Sequence, residues 1–182
     1  MTPERVIQRL HQHRAWVNQK LLSAAAELSD EQLRQKFSIG QGSIWQSLIH
    51  LLAAEYVWLE TLLGDDNPLF PGDLPGRIPG NQLGAGGIAS LEQLRSDWNQ
   101  LAQRWEQYLQ TLTPTALDEM VFKRMSFDPQ RRIGTRRGDI LLHVCTHAQY
   151  TTAQVVNMLR QAGAEKLPDV MLISLARDES SS

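Results

Sequence analysis

The segment His143-Val-Cys-Thr-His147 sets two imidazoles four residues apart. On a helix that spacing puts both on one face, with Cβ atoms roughly 5–6 Å apart. Two imidazoles so placed can reach one metal ion, which is why paired histidines recur in helical zinc sites. Imidazole suits zinc, nickel, copper or iron, so ligand type alone does not select the ion. A helix pair needs a third ligand from elsewhere. Of the five histidines, His50 is the best candidate, because Ser47 and Ala54 share its face and leave room around an imidazole. The more ordinary reading of a histidine on an apolar face is hydrogen-bonded core. His13 lies near the core stripe of its own segment and is read that way, whereas His11 points elsewhere and is read as surface.

Other residues offer weaker chemistry. Cys145 lies between the two histidines in sequence but points away from them around a helix, so it reads as a small buried apolar residue rather than a nucleophile. Asp139 reads first as a helix N-cap and second as a partner orienting a histidine. Glu55 stands five residues after His50, too far around the helix to serve as its general base. Tyr150 and Gln154 are candidates to line the site from the histidines' own helix. The run Arg131-Arg-Ile-Gly-Thr-Arg-Arg137 could grip an anion bidentately, but a solvated loop answering nearby acids is the plainer reading. Trp45, Trp58, Trp98 and Trp105 read as core or interface.

These side chains need elements to position them, and apolar periodicity supplies four helices. The first, about 3–28, starts at Thr2-Pro3 and carries Val6, Leu10, Val17, Leu21, Ala24 and Leu28. The second, about 43–63, is capped by Ser43, carries Ile44, Leu48, Leu51, Leu52, Tyr56, Leu59 and Leu62, and stops at Gly64. The third, about 90–111, opens on a capping-box pattern at Ser90 and Gln93 and carries Leu91, Leu94, Trp98, Leu101, Trp105 and Leu109. The fourth, about 138–162, holds the histidine pair and ends at Gly163. Residues 64–87 are too rich in proline and glycine for a regular element, and their length suits a crossover running the length of a bundle. Residues 112–137 are a hairpin or an irregular connection. Val170–Leu175 could pack back as a turn of helix, and the polar tail Arg177–Ser182 is expected to fray. The expectation is one all-α domain over 1–182, a four-helix bundle with long crossover connections rather than a simple up-down-up-down one.

The bulk composition excludes some functions. The formal net charge is −2, without the basic surplus that nucleic-acid binding needs. No apolar run is long enough to span a bilayer, and the polar N-terminus does not read as a signal peptide. With one cysteine, no intrachain disulfide can form, which fits a reducing compartment. The expected location is cytoplasmic, with no membrane and no nucleic-acid partner.

Two stretches carry a family likeness. Ser43-Ile-Trp-Gln-Ser-Leu-Ile-His50, with Glu55 and Trp58 downstream, resembles the second helix of the DinB/YfiT-like family. Asp139-Ile-Leu-Leu-His143-Val-Cys-Thr-His147-Ala-Gln-Tyr150-Thr-Thr-Ala-Gln154-Val, continuing to Gly163, resembles its fourth. The resemblance extends over nearly the whole chain. It implies a four-helix bundle, commonly a homodimer, binding zinc or nickel through one histidine of helix two and two of helix four. It also implies metal-dependent hydrolases or thiol-dependent transferases, here of unknown small-molecule substrate. His50 matches the helix-two ligand and His147 the first of helix four. The second usually stands four residues later, where this chain has Thr151. Two outcomes follow: either His143, one turn earlier, completes a shifted site of His50, His143 and His147, or the site is degenerate. In the latter case the chain is a non-catalytic dimeric binding or stress-associated module.

Overall fold

The structure is a computed structural model and describes residues 1–180. Its elements are α1 (Pro3–Ala26), the short α2 (Asp30–Arg34), α3 (Ile44–Leu62), α4 (Leu91–Gln110), a 3-10 turn (Thr115–Asp118), β1 (Met120–Met125), β2 (Asp128–Arg136), α5 (Arg137–Gln161) and α6 (Leu172–Ser180). The chain is thus mostly helical, and the all-α expectation needs one correction. The connection before α5 is an antiparallel hairpin, running from Met120 opposite Arg136 to Met125 opposite Asp128 with an irregularity at Arg124/Met125. Asp66 ties it down by pairing with both Arg124 and Arg132.

Cross-helix bonds fix the direction of each long helix. Gln8 meets Leu109 and Gln19 meets Asn99, so α1 and α4 are antiparallel. Glu55 meets Trp98 and Glu60 meets Arg104, so α3 and α4 run parallel. His50 meets His147 and Leu62 meets Arg137, so α3 and α5 are antiparallel. His11 meets Leu141 and His13 meets Gln149, so α1 and α5 are parallel. The order is up, down, down, up. After α3 ends, the chain must therefore climb back the length of that helix, about 28 Å at 1.5 Å per residue, before α4 can begin. That return explains the long segment between them.

Helix starts are set by hydroxyl caps. Ser43 Oγ accepts from the N–H of Gln46 at 3.1 Å, and Ser90 Oγ from that of Gln93 at 3.2 Å. The expected capping box at Ser90 is incomplete, because the Gln93 side chain reaches the N–H of Ala89 instead. The complete box is at Ser29/Gln32, opening α2. Asp139 is not a cap: α5 begins two residues earlier, after Arg136, because the β2 backbone runs straight into it. Asp139 instead sits in the first turn, where a carboxylate favours the helix dipole. The tail is not frayed at residues 177–180, which belong to α6 and are tied to α1 by the Arg9–Glu179 ion pair. Ser181 and Ser182 lie outside the described residues.

The core is one apolar cluster contributed by all four long helices, with Trp98 and Trp105 at its heart. The buried side of α1 differs from the expected stripe. Val6 is exposed, and the inward line runs through Ile7, His11, Arg14, Asn18, Leu21, Leu22 and Ala25. With His13 beside this line, four polar residues of α1 are buried. Arg14 and Glu55 form an ion pair at 3.4 Å with each side chain only 3% exposed. Glu55 also accepts from Asn18 at 2.8 Å and from the Trp98 indole at 3.2 Å, and the Arg14 guanidinium lies 4.6 Å over the Trp105 ring.

Candidate functional site

His50 projects from α3 and His147 from α5 where the two antiparallel helices meet. Their Nε2 atoms are 3.2 Å apart. His50 is buried, and its Nδ1 lies 2.7 Å from the carbonyl oxygen of Pro79, in the segment between α3 and α4. A carbonyl only accepts, so Nδ1 carries the proton and Nε2 keeps its lone pair. His147 then donates from Nε2 to His50 while no ion is present. Burial pushes both imidazoles toward the neutral form. It lowers His50, with the Pro79 bond and Asp73 opposing, and brings His147 down to about 4, helped by the neighbouring His50 and His143.

His143 is exposed and stands apart from this pair. Its ring centroid is 5.7 Å from that of His147, and it packs edge-on against Trp58 of α3 at 5.4 Å. Being one turn before His147 on a helix antiparallel to α3, it is displaced from His50 toward the C-terminal end of α3, where the Trp58 ring reaches it. Thr151 is buried. Among the described residues no three His, Cys, Asp or Glu side chains converge closely enough to hold an ion.

The pair itself fits a metal. Two nitrogens bound to one tetrahedral ion at about 2.0–2.1 Å lie about 3.3 Å apart, close to the 3.2 Å seen here. The tautomer of His50 also fits, since its backbone-held Nδ1–H leaves Nε2 as the ligand atom.

The segment read as a crossover does more than span distance. Gly80 lies against the helix backbone of His50, with φ +85°, and a Cβ there would stand 2.7 Å from His50 Cα. Only glycine allows both that conformation and that approach. Asp73 is buried and its carboxylate accepts from the N–H groups of Gly80 and Gln82. Nothing local in the sequence marks Pro79, Gly80 or Asp73 as neighbours of His50, and they are the residues of the site that pattern reading missed. A cavity of about 120 Å³ opens beside His50, lined by Gln41, Gln46, Ile78 and Asn81 as well as Pro79 and Gly80, without a charged side chain.

The other candidates fall elsewhere. His11 is not surface: it is buried against Trp105 and bonds the Leu141 carbonyl at 3.1 Å. The apolar stripe misled because the core of α1 is partly polar. His13 is core and bonds the Val170 carbonyl at 2.9 Å. Cys145 is buried, and burial pushes its thiol up to about 12, which removes it as a nucleophile. Glu55 is committed to Arg14, Asn18 and Trp98. Tyr150 is 69% exposed. Gln154 lies near Gly40 and Ser47, about two turns beyond His147 on the same helix. In the arginine run, Arg132 pairs with Asp66 and Arg137 with Glu119. Trp98 and Trp105 are core.

The model of the DinB family matches residues 3–177, nearly the whole chain. The chain belongs to the DinB family. A solved structure of similar fold is that of YfiT from Bacillus subtilis, described as a probable metal-dependent hydrolase with an unusual four-helix bundle topology. The match has a TM-score of 0.62 at 18% identity and covers 86% of this chain and 87% of YfiT. At that identity it speaks to the fold. No curated protein matches the chain. No helix among the described residues of this DinB-family chain is long and apolar enough to cross a membrane.

Proposed function

We propose that the chain is a metal-dependent hydrolase acting on a small molecule, with a zinc or nickel ion held by His50 and His147 and with His143, once its ring turns from Trp58 toward the pair, as the third ligand. The observation that carries this reading is the approach of two neutral imidazole nitrogens to 3.2 Å across the α3–α5 interface. A bound divalent ion would supply Lewis-acid polarisation of a substrate carbonyl and activation of water. The protein's part is to present lone pairs rather than protonated rings. Burial keeps His147 neutral down to about 4, and the Pro79 carbonyl keeps the His50 proton on the far nitrogen. The description of YfiT supports hydrolysis over thiol-dependent transfer. A homodimer is part of the same reading.

A second reading has its own support. Thr151 stands buried where the family resemblance implies a ligand, and His143 packs on Trp58 instead of converging on the pair. The chain would then be a non-catalytic dimeric binding module whose histidines simply bond to each other. Elemental analysis of untagged protein purified without chelator separates the two. Near-stoichiometric metal, lost in His50→Ala/His147→Ala and diminished in His143→Ala, is the expected result. Protein that is metal-free and also refuses added zinc and nickel would sink the hydrolase reading and leave the binding module.

A further inference from the structure

The Pro79–Gly80 peptide group is gripped from both sides. Its carbonyl oxygen accepts from His50 Nδ1 at 2.7 Å, and its N–H donates to Asp73 Oδ2 at 2.6 Å. Those two groups belong to one planar, conjugated unit, so polarisation at the nitrogen reaches the oxygen. We propose that Asp73 is a positioning residue of the histidine site. Its carboxylate acts on His50 through the intervening peptide, strengthening the Pro79 carbonyl as an acceptor and holding the proton on Nδ1, so that Nε2 faces His147 as a lone pair.

Three further observations bear on it. Asp73 is buried, so its charge is poorly screened over the short path to the imidazole. Its other oxygen accepts from the backbone N–H and the side-chain amide of Gln82, both at 2.9 Å, which fixes the carboxylate in place. Gly80, at φ +85°, lets the peptide lie against the α3 backbone where any Cβ would collide with His50. Histidine ligands commonly donate their remote N–H directly to a carboxylate or a carbonyl, and losing that partner costs roughly 10–100-fold in metal affinity. Here the two partners are joined in series.

The inference deepens the reading of His50 as a ligand and rests on it, but its first readout needs no metal. Long-range proton–nitrogen correlation spectra of metal-free, nitrogen-labelled full-length protein report the tautomer of each histidine, with His50 assigned by its absence in His50→Ala. The wild type is expected to show His50 with Nδ1 protonated and Nε2 bare. Asp73→Asn keeps the shape and an acceptor for Gly80 but loses the charge. It is expected to move part of the His50 population to the Nε2–H form and to weaken zinc binding, measured against a competing chelator, by about 10–100-fold. Asn81→Ala is the control. It removes side-chain bonds to Leu74 and Ile78 that brace the same loop and leaves both bonds of the Pro79–Gly80 peptide and every bond of Asp73 in place, so the tautomer should stay as in the wild type. A wild-type His50 protonated on Nε2 would overturn the proposal. So would an Asp73→Asn protein with unchanged tautomer and zinc affinity, an Asn81→Ala protein with the same tautomer shift, or loss of the native spectrum in Asp73→Asn alone. If the wild type binds no zinc, the hydrolase reading fails while the tautomer comparison still decides this one.

Discussion

At the scale of single residues, the ion pair of Arg14 and Glu55 keeps two charges out of water, at a desolvation cost. Arg14 Nε and Nη1 have no hydrogen-bond partner, so its charge depends on Glu55 and on the face of Trp105. Glu55→Ala would strand a buried cation and is expected to destabilise the fold by about 3–5 kcal/mol in urea unfolding. Arg14→Met/Glu55→Leu removes both charges and should recover much of that loss. A double variant no more stable than Glu55→Ala would show that the loss does not come from the stranded charge. The histidines give the fold a pH dependence of definite sign. Burial lowers His11 well below 6.5 and His147 to about 4. Below pH 6.5 the unfolded chain takes up protons that these folded imidazoles refuse, so stability present above 6.5 is lost as the pH falls toward 4. The melting temperature of metal-free protein should decline steadily from pH 7 to pH 4.5, less steeply in His147→Asn. A flat profile would contradict the neutral, buried state of the rings.

At the scale of elements, the segment between α3 and α4 is a folded part of the site. Asn81 bonds Leu74 and Ile78, Gln82 bonds Pro71 and Ile88, and Asp73 bonds Gly80 and Gln82. The contact that fixes it to the bundle is Gly80 against His50. Gly80→Ala forces a Cβ to within 2.7 Å of the His50 backbone at a φ that disfavours it. The substitution is expected to displace the loop, remove the Pro79 bond from His50 and weaken zinc binding by at least about 10-fold, while far-UV circular dichroism stays nearly that of the wild type. Unchanged zinc affinity would show that the loop does not prepare the ligand. Helix caps act locally by contrast. Ser90→Ala should cost about 1 kcal/mol of stability and leave the histidines untouched.

For the whole molecule, the up-down-down-up order places α3 antiparallel to α5, so that His50 and His147 meet at one level. The same packing encloses Cys145, whose thiol is held near 12. Its modification by an aromatic disulfide reagent should therefore follow global opening of the bundle and accelerate with denaturant in step with unfolding. Rapid labelling under native conditions would mean that α5 opens locally.

Much of this was legible because helices write themselves into the chain at short range. Apolar spacing marked the four long helices, Ser43 and Gly64 marked the limits of α3, and the motifs around His50 and His147 pointed to the DinB family. What escaped depends on who sits opposite whom. Periodicity assigns burial by residue type, so it placed Val6 inside and His11 outside. In the fold, the pairing of Arg14 with Glu55 and the bond of His11 to Leu141 make polar residues fit for the core. Spacing on α5 put His143 and His147 on one face, but the level at which α3 passes decides that His50 meets His147 while Trp58 meets His143. The sequence by itself determined the long helices and singled out the imidazoles whose chemistry suits an ion. Only the tertiary structure decided which of them meet, and that a loop 29 residues from His50 supplies the carbonyl that orients it, because such contacts depend on helix direction and register, which no local pattern encodes.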